Sequence, residues 1–413
     1  MMAARGAIAV ATLLLAACAA PMAGGSAGSS AAREAPWPTP VEDPAELINN
    51  FPDSASVLRR QLAAANDARD AATVRTGLTR LAAMGYAPSQ QTLDILAPYI
   101  PEAEMTALRQ RFAANRATVS ASRLLINVPA EHRLIEGIVW DSRTGRLFAA
   151  SVVSRALLVR EAQGWRPVEG LETGSLFGLA IDSRRRMLWA ASGVVEQTPS
   201  PDTAFRGVIG VDLATLRQSR RLAAPADGTP ADIAVAADGT VYASDPNSGA
   251  IYRARLTDTA LTILVPPGRL RSPQGLVPSA DGRRLYVSDY GYGLAEVMLA
   301  DGSVSRLESD ANTMLDGIDG LYPWRGGLIA IQNGTNPRRI LFLTLAPGGG
   351  RIASVDVLES GNPEWGEPTL GAVRPRDFLY VADAQWERYG TGGVLQGEGA
   401  THATPVRMLR PGP

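Results

Sequence analysis

Between Gly137 and Asp383 the chain repeats one hydropathy pattern six times. An apolar strand leads into a polar turn, and a second apolar strand follows, ending in small or acidic residues. The copies read GIVWDSRTGRLFAAS from Gly137, GLAIDSRRRMLWAAS from Gly178 and DIAVAADGTVYASD from Asp232. They continue as GLVPSADGRRLYVSD from Gly275, GLYPWRGGLIAIQN from Gly320 and, more weakly, GAVRPRDFLYVAD from Gly371. Successive starts lie 41, 54, 43, 45 and 51 residues apart. A single hairpin cannot bury both faces, whereas a ring of them can, so the spacing predicts a six-bladed β-propeller. Thr144-Gly145, Asp238-Gly239, Asp281-Gly282 and Gly326-Gly327 are the expected hairpin turns. The run RLLINV at 123–128 and the run PVRML from Pro405 predict one further strand each. Together they would complete the last blade from both chain ends and leave no open edge.

Upstream, the period changes from two to 3.6. Val74, Leu78 and Leu81 share a helical face, with Asp70 as N-cap and Gly85 past the C-terminus. Val57, Leu58 and Leu62 form an earlier stripe, and Leu93 with Leu96 a later one. Met105, Leu108 and Phe112 follow Pro101, with Glu102 and Glu104 in the first turn, where carboxylates suit the helix dipole. The reading is a small all-α domain of about four helices over 41–118, then the propeller over 119–413. The apolar stripes are read as core, with a partner-binding helical surface as the alternative.

Residues 1–17 carry Arg5 and then an apolar run from Gly6 to Leu15, too short to span a bilayer. Leu15-Ala16-Ala17-Cys18 resembles a bacterial lipoprotein signal, which would make Cys18 the lipid attachment site. The expectation is a lipid-anchored envelope protein with Ala19 favouring the outer membrane, facing the periplasm. Residues 18–40, rich in Ala, Gly, Ser and Pro, would be the tether. Cys18 is the only cysteine, so no disulfide can form within the chain.

Charge narrows the chemistry. The 413 residues carry 40 basic and 41 acidic side chains, and every basic one is Arg. The even balance offers no field for nucleic acid. Without Lys there is no Schiff base and no phosphate-loop lysine. His132 and His402 are the only histidines, in polar segments, and are read as surface residues.

In a propeller the inner strands all begin at one mouth of the central channel. The residues leading into the six repeats are Glu136, Phe177, Ala231, Gln274, Asp319 and Thr369. Two carboxylates and an amide converging on one axis suit a hard divalent cation such as Ca²⁺. The alternative is that these are ordinary polar residues satisfied by backbone. Phe177 and Tyr290 could stack on a ligand, or simply pack the blades.

The repeat region, over roughly 130–390, resembles the senescence-marker-protein/regucalcin/gluconolactonase-like family. The resemblance is carried by Glu136-Gly137-Ile138-Val139-Trp140-Asp141, Pro230-Ala231-Asp232, Pro273-Gln274-Gly275-Leu276 and Asp319-Gly320-Leu321. Ile331-Gln332-Asn333-Gly334, Glu367-Pro368-Thr369-Leu370-Gly371 and Gln385-Trp386 add local matches. The resemblance implies a divalent metal held by Glu136, Gln274 and Asp319, and hydrolysis of a sugar lactone in the channel. It makes Asp319 the catalytic general base and Asp232 the substrate- or water-orienting residue. Gln274 replaces a family asparagine and lengthens that ligand, while Ala231 replaces one and removes a hydrogen-bonding group. A non-catalytic propeller that binds a small molecule, or an envelope protein through the helical domain, is the second reading.

Overall fold

The computed structural model describes Trp37 and residues 43–411, apart from 226, 398 and 400. The signal and tether expectations, Cys18 included, lie outside the described residues. Among these residues no helix is long and apolar enough to cross a membrane.

Six antiparallel blades follow one another. Their inner strands are Ile135–Trp140, Ser175–Asp182, Ile233–Val235, Pro273–Pro278, Ile318–Trp324 and Gly371–Val373. The expected six-bladed propeller, preceded by helices, is what the chain forms. All four glycine turns take positive φ, at Gly145, Gly239, Gly282 and Gly326. The sixth blade runs Gly371–Val373, Phe378–Val381, Thr404–Leu409 and, outermost, Arg123–Val128. Its last pair is antiparallel, Arg123 facing Met408 and Val128 facing Thr404. The two terminal runs therefore do close the ring. Blade 5 carries an extra short strand, Glu308–Ser309, parallel to its outer edge.

The helical region has five α-helices rather than four: α1 (Pro44–Asn50), α2 (Ala55–Asp67), α3 (Ala71–Ala83), α4 (Gln90–Leu96) and α5 (Glu102–Asn115). Asp70 caps α3 as expected, accepting from Ala72 and Thr73 N–H at 3.1 Å, and Gly85 takes φ +86° just past its end. The stripes Val57/Leu58/Leu62, Val74/Leu78/Leu81 and Met105/Leu108/Phe112 are buried and belong to one core that also contains Leu285, Tyr292 and Val297 of blade 4. They are core, not a free partner surface.

Docking is polar as well as apolar. The carboxylate of Asp316, fully buried, accepts from the first two N–H groups of α2, Ala55 at 2.9 Å and Ser56 at 2.7 Å. It thus satisfies orphan donors of a helix more than 250 residues earlier in the chain. Ser54, the N-cap, receives Val57 N–H and donates to Gly291 carbonyl at 2.9 Å. Arg339 supports Asp316 electrostatically and binds Gln332 Oε1 at 2.7 Å; Gln332 in turn donates to the Asp316 carbonyl. Phe51 stacks on Tyr292 with centroids 4.2 Å apart, and Arg306 reaches Asp53 at 2.5 Å and the Asn50 carbonyl.

Removing the Asp316 carboxylate leaves two helix donors and a buried guanidinium without it. Asp316→Ala is expected to lower unfolding free energy by about 3 kcal/mol, on the scale of losing buried charge-assisted hydrogen bonds. Urea denaturation monitored by circular dichroism measures this, and an unchanged midpoint would contradict it.

Candidate functional site

Glu136, Gln274 and Asp319 stand at equivalent positions of their inner strands, set there by a local device the repeat pattern did not disclose. Four inner strands carry a bulge at the same level. Ile135 pairs with Ser151 but Gly137 with Ala150, which leaves Glu136 as the extra residue. Ile318 pairs with Gln332 and Gly320 with Ile331, which leaves Asp319 extra. The register also shifts across Phe177-Gly178 in blade 2 and across Gln274-Gly275 in blade 4. Glu136, Gln274 and Asp319 thus sit inside the strands rather than just before them, and the bulge re-aims each side chain.

The glycine after each bulge lets neighbouring blades close in. A Cβ on Gly137 would lie 2.5 Å from the Phe177 carbonyl, and one on Gly275 would lie 2.4 Å from Leu321 N. Gly178 N–H donates to the Ala231 carbonyl at 2.8 Å. Across the closing seam, Thr369 Oγ1 and Leu370 N–H both donate to the Glu136 carbonyl, at 2.8 and 3.2 Å. Ala231 and Thr369 therefore serve the ring through backbone and hydroxyl, not as site ligands.

Each acidic group is held. Trp386 Nε1 donates to Glu136 Oε2 at 2.6 Å. Asn333 Nδ2 donates to Asp319 Oδ2 at 2.9 Å and to the Pro368 carbonyl, while its Oδ1 accepts from Tyr290 hydroxyl at 2.9 Å. Asp232 Oδ1 accepts from Ile233 N–H at 2.7 Å. Among the described residues Gln274, half-buried, has a single long contact, 3.5 Å, to Ser272.

The electrostatics are one-sided. Glu136 and Asp232 are each only 7 % exposed. Burial, and then the charge of Asp319, raises Glu136 well above the usual carboxylate range. Burial pushes Asp232 up to about 8, with Asp319 adding to it. Asp319 rises to about 7 through burial and the nearby Glu367, opposed by Asn333. Among the described residues none of these three carboxylates forms an ion pair.

Phe177 is packed with Leu134, Val152, Val153 and Tyr389, and Tyr290 is committed to Asn333, so both are wall rather than open stacking faces. His402 is exposed but not idle: its Nε2 lies 3.2 Å from Asp383. Trp386, Asn333 and Glu367 are the site residues that counting inner-strand positions missed. All three stand in the short runs that carried the family likeness, which was the available signal.

A cavity of about 580 Å³ opens at the opposite mouth, where the inner strands end, between Trp140, Trp324, Arg325 and Arg374. Asp232 and Tyr322 line it too, and Tyr322 also feels the charges of Glu136 and Asp319. This cavity and the acidic cluster thus share Asp232 and Tyr322. A second cavity, about 470 Å³, lies beside the acidic mouth, bounded by Arg59, Tyr86, Asn333 and Arg338.

No family model matches the sequence, and no curated protein does. Among solved structures, a gluconolactonase of Xanthomonas campestris is similar over 72 % of this chain and 92 % of its own, at 18 % identity and TM-score 0.46. Virginiamycin B lyase of Staphylococcus aureus matches 70 % of this chain and 99 % of its own, at 13 % and 0.48. The PQQ-bound aldose sugar dehydrogenase of Streptomyces coelicolor matches 70 % and 99 %, at 15 % and 0.44. Likenesses of this depth say nothing of activity.

The raised carboxylates set a sign for pH. Asp232 and Asp319 hold protons more tightly folded than unfolded, where an aspartate titrates near 3.8. Their contribution is complete below about pH 4 and is lost as pH rises through 7 to 8. Urea unfolding in chelator should therefore show falling stability from pH 5 to 8.5, and Asp232→Asn should flatten the slope. Asp141, held low by Arg186, responds only in more acidic solution. An equal slope in wild type and variant would show that Asp232 does not titrate in this window.

Proposed function

We propose that this chain is a metal-dependent hydrolase of a lactone or related ester, working at the acidic mouth of the propeller. One observation supports it most: the buried Glu136 and Asp232 are both raised by the charge of the half-buried Asp319, and among the described residues none of the three is paired with an arginine. Such a set takes up either protons or a cation. Among the described residues no three His, Cys, Asp or Glu side chains gather closely enough to hold an ion by themselves. Glu136, Asp319 and the amide oxygen of Gln274 would be an all-oxygen donor set, the chemistry that suits a hard cation such as Ca²⁺. When bound, the cation would polarise an ester carbonyl and make bound water more acidic.

The protein groups divide the remaining work. Asp319, raised to about 7 by burial and Glu367 when no cation is bound, is the general base. Asn333 fixes its Oδ2, so Oδ1 is the oxygen that takes the proton from the attacking water. Asp232 carries its own proton up to about pH 8 and can donate a hydrogen bond to a substrate hydroxyl. Trp386 orients Glu136 and covers one of its oxygens.

Ala231 favours a second reading, a propeller that binds a small molecule without turnover. Its methyl supplies no hydrogen bond where a polar side chain would complete the ring. The two readings part on a lactone panel assayed with and without Ca²⁺. Hydrolysis is expected to need the metal and to fall at least a hundredfold in Asp319→Asn. Ca²⁺ should raise the melting temperature of the wild type and not of Glu136→Ala. A Ca²⁺ shift without turnover of any lactone would leave the binding reading, and no shift at all would remove the metal.

The proposed setting is the bacterial cell envelope, with the chain anchored through lipid on Cys18. Cys18→Ser should move the full-length protein from the membrane to the soluble fraction after cell lysis. Equal membrane recovery of both forms would rule out that anchor.

A further inference from the structure

The second cavity joins the helical region to the acidic mouth, and its chemistry is the reverse of that mouth. None of its eleven lining residues is acidic, and two are arginines, Arg59 from α2 and Arg338 from the loop after blade 5's second strand. We propose that this cavity is a subsite for an anionic group, a carboxylate or a phosphate, on the molecule whose ester lies at the acidic mouth. The inference rests on the hydrolase reading and adds the charge class of its substrate.

Arg59 is the principal cation. It is exposed, and among the described residues it forms no ion pair. Its guanidinium lies over the ring of Tyr86, 5.7 Å from the centroid. That face holds the planar fork without neutralising it. Arg338 is partly occupied: it donates to the Gly366 carbonyl, and it acts electrostatically on Glu367. The walls are fixed from both sides. Ala87 N–H donates to the Asn336 carbonyl at 2.7 Å while Asn336 Nδ2 donates to the Ala87 carbonyl at 2.6 Å. Asn362 is held by Glu359 at 2.6 Å. The cavity at the other mouth differs, because Asp232 lines it and Arg374 is paired with Asp377 at 2.5 Å.

The link to the reacting groups is short. Asn333 lines the cavity and also donates to Asp319. A ligand reaching from Asp319 past Asn333 would bring its far end to Arg59. The helical region then adds a second positive charge to the one that Arg338 brings from the propeller.

The test uses the full chain, titrated by calorimetry with inorganic phosphate and, separately, with acetate. Binding of at least one anion is expected, weakened at least fivefold in Arg59→Ala and less in Arg59→Lys, which keeps the charge but not the fork. Which anion binds distinguishes phosphate from carboxylate recognition. Circular dichroism and the melting temperature check that Arg59→Ala stays folded. A parallel assay compares esters of equal length with and without a terminal carboxylate or phosphate. The charged ester should have the lower KM, an advantage that disappears in Arg59→Ala. No binding of either anion, or binding indifferent to Arg59, overturns the subsite. Hydrolysis that ignores substrate charge overturns it while keeping the hydrolase reading. Arg59-dependent anion binding with no hydrolysis of any ester keeps the subsite and removes that reading.

Discussion

Everything at the channel depends on closing the ring. A blade exposes one sheet face to each neighbour, so burial is complete only when the sixth blade meets the first. The antiparallel pairing of Arg123–Val128 with Thr404–Leu409 supplies that closure and leaves the terminal blade no bare seam. Glu136 shows the dependence directly. Its carbonyl accepts from Thr369 and Leu370 of blade 6, and its side chain receives Trp386 from the loop beyond. A propeller that failed to close would lose the position of Glu136 before it lost any blade.

Closure creates a difficulty that the local geometry answers only in part. Bulges and glycines bring the inner strands close together at one level, and acidic side chains then meet in a space that water scarcely reaches. Ordinary folding would select against such a cluster, since each carboxylate must either keep a proton or find a cation. Tryptophan and asparagine donors ease the cost at single oxygens but bring no charge. An unbalanced cluster at the axis of an otherwise well-satisfied fold is where sequence rules are expected to yield to function.

The sequence disclosed the large periods well. Hairpin repeats, glycine turns, the two closing strands and the helical stripes each express a local rule of periodicity, and local rules can be read one segment at a time. Bulges were hidden because a one-residue insertion changes register without changing hydropathy. Asp316 was hidden for another reason. It lies in a Leu-Asp-Gly run that looks like a turn, and its partners, Ala55 and Ser56, are more than 250 residues away. α1 was missed because its buried apolar residues, Leu47 and Ile48, are adjacent and carry no helical spacing, whereas Leu93 and Leu96 of the equally short α4 stand three apart. Trp386 and Asn333 were visible as residues, but no periodicity says which carboxylate a loop side chain will meet.

The Asp316 contact also bears on where this chain could be divided. The composition changes near residue 118, which invites a cut between helices and propeller. Yet the carboxylate that seats α2 belongs to the propeller, and Phe51 covers Tyr292 of blade 4. A propeller expressed alone would present a bare buried-type carboxylate and an uncovered aromatic surface to solvent. The helices, expressed alone, would lose the acceptor for the first turn of α2. The shift in sequence character thus marks a change of secondary structure, while the piece to keep whole in engineering is the joined pair.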